Sequence, residues 1–180
     1  MMASLIDRMI RASKLDINLY EEVEADKSSM GQAITVVVIS SVASGIGTIG
    51  ILGIQGLIVG TISALIGWLV WAYLTYLIGT KLLPEPQTKA DVGELLRTIG
   101  FSSAPGVLRI FGFIPLIGVI ISFVASIWML VAMIIAVRQA LDYKSTWRAI
   151  GVCAIGFVVY LLVVAFIFYL LGFSSMIATT

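Results

Sequence analysis

Between Ser28 and Thr80 the chain carries no Asp, Glu, Lys or Arg over 53 residues. A stretch of that kind belongs in lipid, where a charge at the bilayer centre is costly and spanning segments therefore read as charge-free runs. As one α-helix it would be about 80 Å long at 1.5 Å per residue, against about 30 Å of hydrocarbon. It must reverse once. Glycines at 45, 47, 50, 53 and 56 mark the reversal, because Gly tolerates turn dihedrals and weakens a helix. Two further charge-free runs, from Arg109 to Arg138 and from Ala149 onward, are each long enough for one crossing. The stretch between Gly93 and Gly112 is the weakest apolar segment and carries Glu94, Arg97 and Arg109.

Basic residues decide whether that weak stretch crosses, because Lys and Arg in short connections stay on the cytoplasmic side. Arg8, Arg11, Lys14 and Lys27 precede the first span, and none lies between the first two. Lys81, Lys89 and Arg97 follow the second span, and Arg138, Lys144 and Arg148 precede the last. If the weak stretch crosses, all these connections share one side. The expected fold class is therefore an all-α, polytopic integral membrane protein with five transmembrane helices, at about 32–52, 56–79, 95–112, 115–138 and 148–172. Residues 31–180 form the membrane domain, with the N-terminus cytoplasmic and the C-terminus outside.

Composition narrows the chemistry. The chain is 60% apolar and 12% charged, where ordinary soluble domains have about 45–50% and 25%. A net charge of +1 lacks the basic footprint of a nucleic-acid binder. With no His and a single Cys, imidazole chemistry, an internal disulfide and Cys-based metal sites are excluded. No cofactor, no metal site and no enzymatic activity are expected.

Residues 1–30 form the N-terminal cytoplasmic segment. Met2, Leu5, Ile6, Met9 and Ile10 recur at helical spacing, with Arg8, Arg11 and Lys14 largely outside that stripe. This predicts an amphipathic helix lying in the interface with its basic groups near anionic headgroups. From Asp16 to Asp26 every charge is acidic. Repelled by anionic lipid, that segment either stands off to meet a protein partner through Tyr20, Glu21, Glu22, Glu24 and Asp26, or is a solvated connection to the first span. After the second span, Pro84 and Pro86 stop the helix, and Thr88 with Asp91 resembles a capping pair for the next one.

Two features within the spans could carry function. Gly56, Gly60 and Ala64 share one face of the second span, and Gly118, Ser122 and Ser126 share one face of the fourth; small residues allow close helix packing, within the chain or in a homo-oligomer. Arg109 is the one charge inside a predicted span, a candidate intramembrane polar site. It either snorkels to the headgroups or holds an anion or carboxylate, as in a transporter.

Several segments, in order along nearly the whole chain, resemble the Yip family, the Ypt/Rab-interacting protein domain, in its prokaryotic branch. They are Leu19-Tyr20-Glu21-Glu22-Val23, Gln32-Ala33, Leu96-Arg97-Thr98-Ile99-Gly100-Phe101-Ser102-Ser103-Ala104-Pro105, Ile114-Pro115-Leu116, Ile127-Trp128, Val137-Arg138-Gln139-Ala140-Leu141 and Trp147-Arg148-Ala149. The resemblance implies five spans, a cytoplasmic N-terminus and a C-terminus on the far side. Eukaryotic members act in vesicle trafficking and bind small lipidated GTPases, partly through an Asp-Leu-Tyr-Gly-Pro motif. Here Leu19-Tyr20 is present and the Gly-Pro is absent, so GTPase binding is not carried over.

The sequence thus points to a non-enzymatic protein of a prokaryotic plasma membrane that contacts the lipid bilayer and organises membrane or scaffolds protein partners. A small transporter and an accessory subunit of a larger complex are the alternatives. Single cysteines in a Cys153→Ser background test the topology. A Cys at Ser175 is expected to react with an impermeant maleimide from outside, and one at Lys144 only after permeabilisation.

Overall fold

The structure is a computed structural model that describes residues 4–177, apart from the side chains of 164, 167, 168 and 170–177. Seven α-helices build it: α1 (Leu5–Ser13), α2 (Ile17–Ala25), α3 (Met30–Gly47), α4 (Ile49–Leu77), α5 (Val92–Ser102), α6 (Ile117–Ala140) and α7 (Thr146–Ile177). A π-helical turn, Ile78–Leu82, extends α4, and a ten-residue 3-10 segment, Ala104–Phe113, follows α5. There is no strand among the described residues. Met2, part of the predicted stripe, lies outside them.

Among the described residues, four helices are long and apolar enough to cross a membrane: Lys27–Gly47, Ile49–Leu82, Ile117–Ala140 and Thr146–Val163. The charge-free runs anticipated all four. The reversal inside the first run is sharp. Gly53 has φ 62° and ψ −172°, a region that essentially only Gly occupies. One helical turn therefore precedes it and the long part of α4 follows, with Leu57 folded back against Gly45.

The third expected span, 95–112, is not a single α-helix. Asp91 and Glu94 close a reciprocal capping box that starts α5, three residues later than a Thr88–Asp91 pair would have placed it. Thr88 instead accepts a hydrogen bond from the Glu85 N–H. Pro105 then lies within the first turn of the 3-10 segment, where it has no N–H to give and its ring would clash in a continuing α-helix.

A seam of small residues explains how so irregular a segment stays packed. A Cβ on Gly100 would meet the Ala33 Cβ at 2.9 Å, one on Gly106 would fall on the Ser40 hydroxyl, and one on Gly112 would approach the Gly47 Cα at 3.3 Å. Positions 33, 40 and 47 rise along α3 in steps of seven while 100, 106 and 112 keep pace in steps of six. The tighter winding of a 3-10 helix advances about 2.0 Å per residue, which lets six residues cover about what seven cover in α3. The α5 and 3-10 segments therefore run alongside α3 for most of its length.

Fully enclosed side chains gather at the end of the bundle where α1 and α2 pack, among them Leu19, Tyr20, Val36, Leu95, Leu141 and Val152. Toward the opposite end α4 packs only loosely and turns most of its surface outward. None of its most apolar stretch is buried, and Ile51, Ile58, Ile62 and Ile66 stand outward, as expected of a lipid-facing surface.

The seam gives a direct test. A Cβ on Gly47 would fall on the Arg109 carbonyl, whereas one on Gly67 meets open space. Gly47→Ala is expected to lower stability by about 2 kcal/mol through overpacking. Gly67→Ala is expected to raise it by up to about 1 kcal/mol through helix propensity. Thermal unfolding in mild detergent measures both.

Candidate functional site

The N-terminal hairpin inverts the usual arrangement of a soluble helix. On α1, Arg8 is only 5% exposed while Ile6 and Ile10 are 69% and 50% exposed. The guanidinium of Arg8 donates to Glu22 at 2.9 Å, to Asp26 at 2.9 Å and to the Gln32 amide oxygen at 2.9 Å. Those partners lie on α2, just beyond it and at the start of α3. One side chain therefore joins three elements. Arg11 extends the cluster with Nε to Asp16 at 2.8 Å and Nη1 to Glu22 at 2.6 Å.

The carboxyl groups titrate accordingly. The hydrogen bond from Arg11 holds Asp16 below its usual range. Burial alone would push Glu22 up, but hydrogen bonds from Arg11 and Arg8 outweigh it and hold it low. Ser28 and then Arg8 lower Asp26. Arg97, 4% exposed, also serves the C-terminal end of α2 by donating from Nε to the Val23 carbonyl at 2.8 Å and to the Glu24 carbonyl. A cation at a helix C-terminus is favoured by the unpaired carbonyls there.

This arrangement relocates most of the predicted partner-binding residues. Tyr20 is fully enclosed, and its hydroxyl donates to the Ala12 carbonyl. Glu22 and Asp26 are bound internally. Arg8 and Arg11 turn toward these acids and not toward headgroups, because carboxylates at hydrogen-bond distance neutralise them better than distant lipid. Glu21 remains exposed, held by the Gln139 amide at 2.8 Å. Glu24 lines a depression of about 480 Å³ with Glu21, Arg138, Asp142 and Lys144. Burial, with Asp142, Glu94 and Glu21 nearby, pushes its carboxyl up to about 7.

The second region is a groove of about 530 Å³ between α3, α4 and the 3-10 segment. Gly56, Gly60, Ala64 and Gly67 form its α4 wall, Ser40, Ser41, Ser44 and Thr48 its α3 wall, and Arg109 reaches it from the 3-10 segment. The small face of α4 thus borders space. The small face of α6 is packed: Gly118 lies against Gly112, and Ser126 donates to the Ser122 carbonyl at 2.7 Å. The two small faces border different neighbours.

Arg109 points inward. Its Nη2 donates to Ser126 Oγ at 2.8 Å, and Ser126 lies nine residues after the first residue of α6, about 13 Å along that helix. Among the described residues no carboxylate pairs with it. The residues that sequence reading missed, Arg8 as a hub and the hydroxyl wall of α3, had different visibility. Ser40, Ser44 and Thr48 recur at helical spacing and were legible in principle. The partners of Arg8 lie 14, 18 and 24 residues away, with no local pattern to announce them.

Several long apolar helices, outward isoleucines and inward charges define a multi-pass, all-helical integral membrane protein. Residues 19–172 match the sequence profile of the Yip1 domain, and the chain belongs to that family. No curated protein and no solved structure matches the chain.

Removing the hub should loosen the hairpin. Arg8→Met is expected to cost about 2 kcal/mol, less than for a fully enclosed pair because Glu22 and Asp26 keep partial access to water. The readouts are a lower midpoint of thermal unfolding and faster tryptic cleavage after the exposed Lys14. Unchanged cleavage and an unchanged midpoint would show that the cluster does not hold the hairpin.

Proposed function

We propose that this is a non-enzymatic, membrane-organising protein whose N-terminal hairpin is a wedge in the surface of the bilayer. The observation that carries this reading is the orientation of α1, with Arg8 turned into the protein and Ile6 and Ile10 turned out. Ile17, at the start of α2, is exposed as well. A helix that hides its arginine and presents isoleucines is stable against an apolar medium, where burying those side chains contributes about 1.5–3 kcal/mol each. Because the hairpin is tied to the bundle by Arg8 and Arg97, the wedge is held by the membrane domain and does not float free.

The same reading includes five crossings. The α5 and 3-10 segments accompany α3 from Ala33 to Gly47, and the basic connections fall on one side only if this pair of segments crosses. The N-terminus is then cytoplasmic and the C-terminus outside, in the plasma membrane of a prokaryote. Lipid is the first partner. Protein partners, or a second copy of the chain, would meet the face around Glu21 and Glu24, since the other acids of that segment are engaged internally. Nucleic acid has no place in this function.

Reconstitution into liposomes tests the wedge. An environment-sensitive fluorophore at Ile10→Cys, in the Cys153→Ser background, is expected to emit as in an apolar medium and to be quenched by lipids spin-labelled high on the acyl chain. Wild-type protein is expected to shift vesicles to smaller diameters, and Ile6→Asn with Ile10→Asn to abolish the shift while keeping the unfolding midpoint. Water-like emission, or equal vesicle diameters for both proteins, would defeat the proposal.

A further inference from the structure

We propose that the groove beside Arg109 is a binding site for one anionic membrane lipid, with its phosphate on the guanidinium and its acyl chains along the apolar lining of the groove. This inference concerns the groove between α3, α4 and the 3-10 segment and does not rest on the wedge.

The electrostatic argument comes first. Arg109 donates to Ser126, which lies about 13 Å along α6 from its first residue, and a single hydroxyl oxygen leaves most of its five N–H donors unused. The ten Asp and Glu side chains all fall at 7–26, 85–94 and 142, so the charge-free runs that line this groove supply none. A guanidinium in apolar surroundings without a counterion is costly. With no carboxylate against it among the described residues, an anion from outside the chain would neutralise it, and the planar fork of Arg suits a phosphate.

Shape and polarity then choose the carrier of that anion. The groove measures about 530 Å³, within the usual range for sites of small ligands. A Cβ built on Gly60 meets nothing within 4 Å, so this wall is set back and leaves a slot. Val37, Trp68, Ile99 and Met129 also line the groove, an apolar surface that a free inorganic anion would not use. On the opposite wall the Thr48 hydroxyl donates to the Ser44 carbonyl at 3.1 Å, leaving oxygen lone pairs free to accept from a hydroxylated headgroup. An anionic head bearing hydroxyls and joined to acyl chains satisfies each of these features.

The test uses the full chain in detergent micelles, native mass spectrometry and phosphatidylglycerol as probe. Wild-type protein is expected to retain one phosphatidylglycerol, with phosphatidylcholine bound at least about tenfold more weakly and millimolar inorganic phosphate unable to displace the lipid. Arg109→Gln is expected to abolish the preference for the anionic lipid, and Lys89→Gln, an exposed cation elsewhere, to preserve it. Gly60→Leu fills the slot from a position with room for a side chain; it is expected to keep the unfolding midpoint and to lose lipid retention. Equal binding of the two lipids by wild type, displacement by inorganic phosphate, or retention by Gly60→Leu would overturn the proposal, even if Arg109→Gln failed to fold.

Discussion

A charge in an apolar protein has to be neutralised where it sits, and three arginines of this chain meet that constraint in three ways. Arg8 is surrounded by carboxylates and an amide oxygen. Arg97 rests on the carbonyls at the end of α2. Arg109 has one serine hydroxyl. The first two bring the hairpin onto the bundle, so the attachment of α1 and α2 depends on polar bonds formed inside an otherwise apolar molecule. Such bonds are strong in a low-dielectric setting because the alternative, an unpaired charge, is so unfavourable.

Close approach of backbones supplies what the arginines do not. Helices in lipid gain little from burying apolar side chains against one another, so association relies on contact distance and local hydrogen bonds. The seam of Ala33, Ser40 and Gly47 against Gly100, Gly106 and Gly112 meets that need. It also accounts for the broken third segment. A proline at 105 would be disruptive in an isolated helix, but here the 3-10 winding it accompanies brings glycines into register with the small residues of α3.

The helices that physics makes legible in a single sequence are those whose cause is local. Charge-free length located α3, α4, α6 and α7, and the glycine cluster located the reversal whose pivot is Gly53. The third segment was misread as one regular helix because its support comes from α3, nearly 70 residues earlier, and no local pattern reports that. The acidic stretch was misjudged for the same reason. Read alone, Asp16 to Asp26 looks like an unneutralised surface, yet its counterions come from α1, and Tyr20 is inside the core. Arg109 stood out from the start, since a lone charge in an apolar run is visible locally, but the direction of its side chain is a property of the packed bundle.

The contrast between the α3 seam and the α4 wall follows from the same distribution of small residues. Where α3 meets the 3-10 segment, a Cβ added to Gly47 or Gly106 would collide with the neighbour, so small size there is required for contact. On α4, an added Cβ at Gly60 or Gly67 would touch nothing, so small size there is not explained by packing within the chain. Glycine in a helix costs about 1 kcal/mol relative to alanine, and at Gly60 and Gly67 no contact of an added Cβ offsets that cost, whereas Gly56 makes room for Leu52. The wall bounds the space into which Arg109 reaches, so what occupies that space, and not the bundle itself, is what the glycines of α4 accommodate.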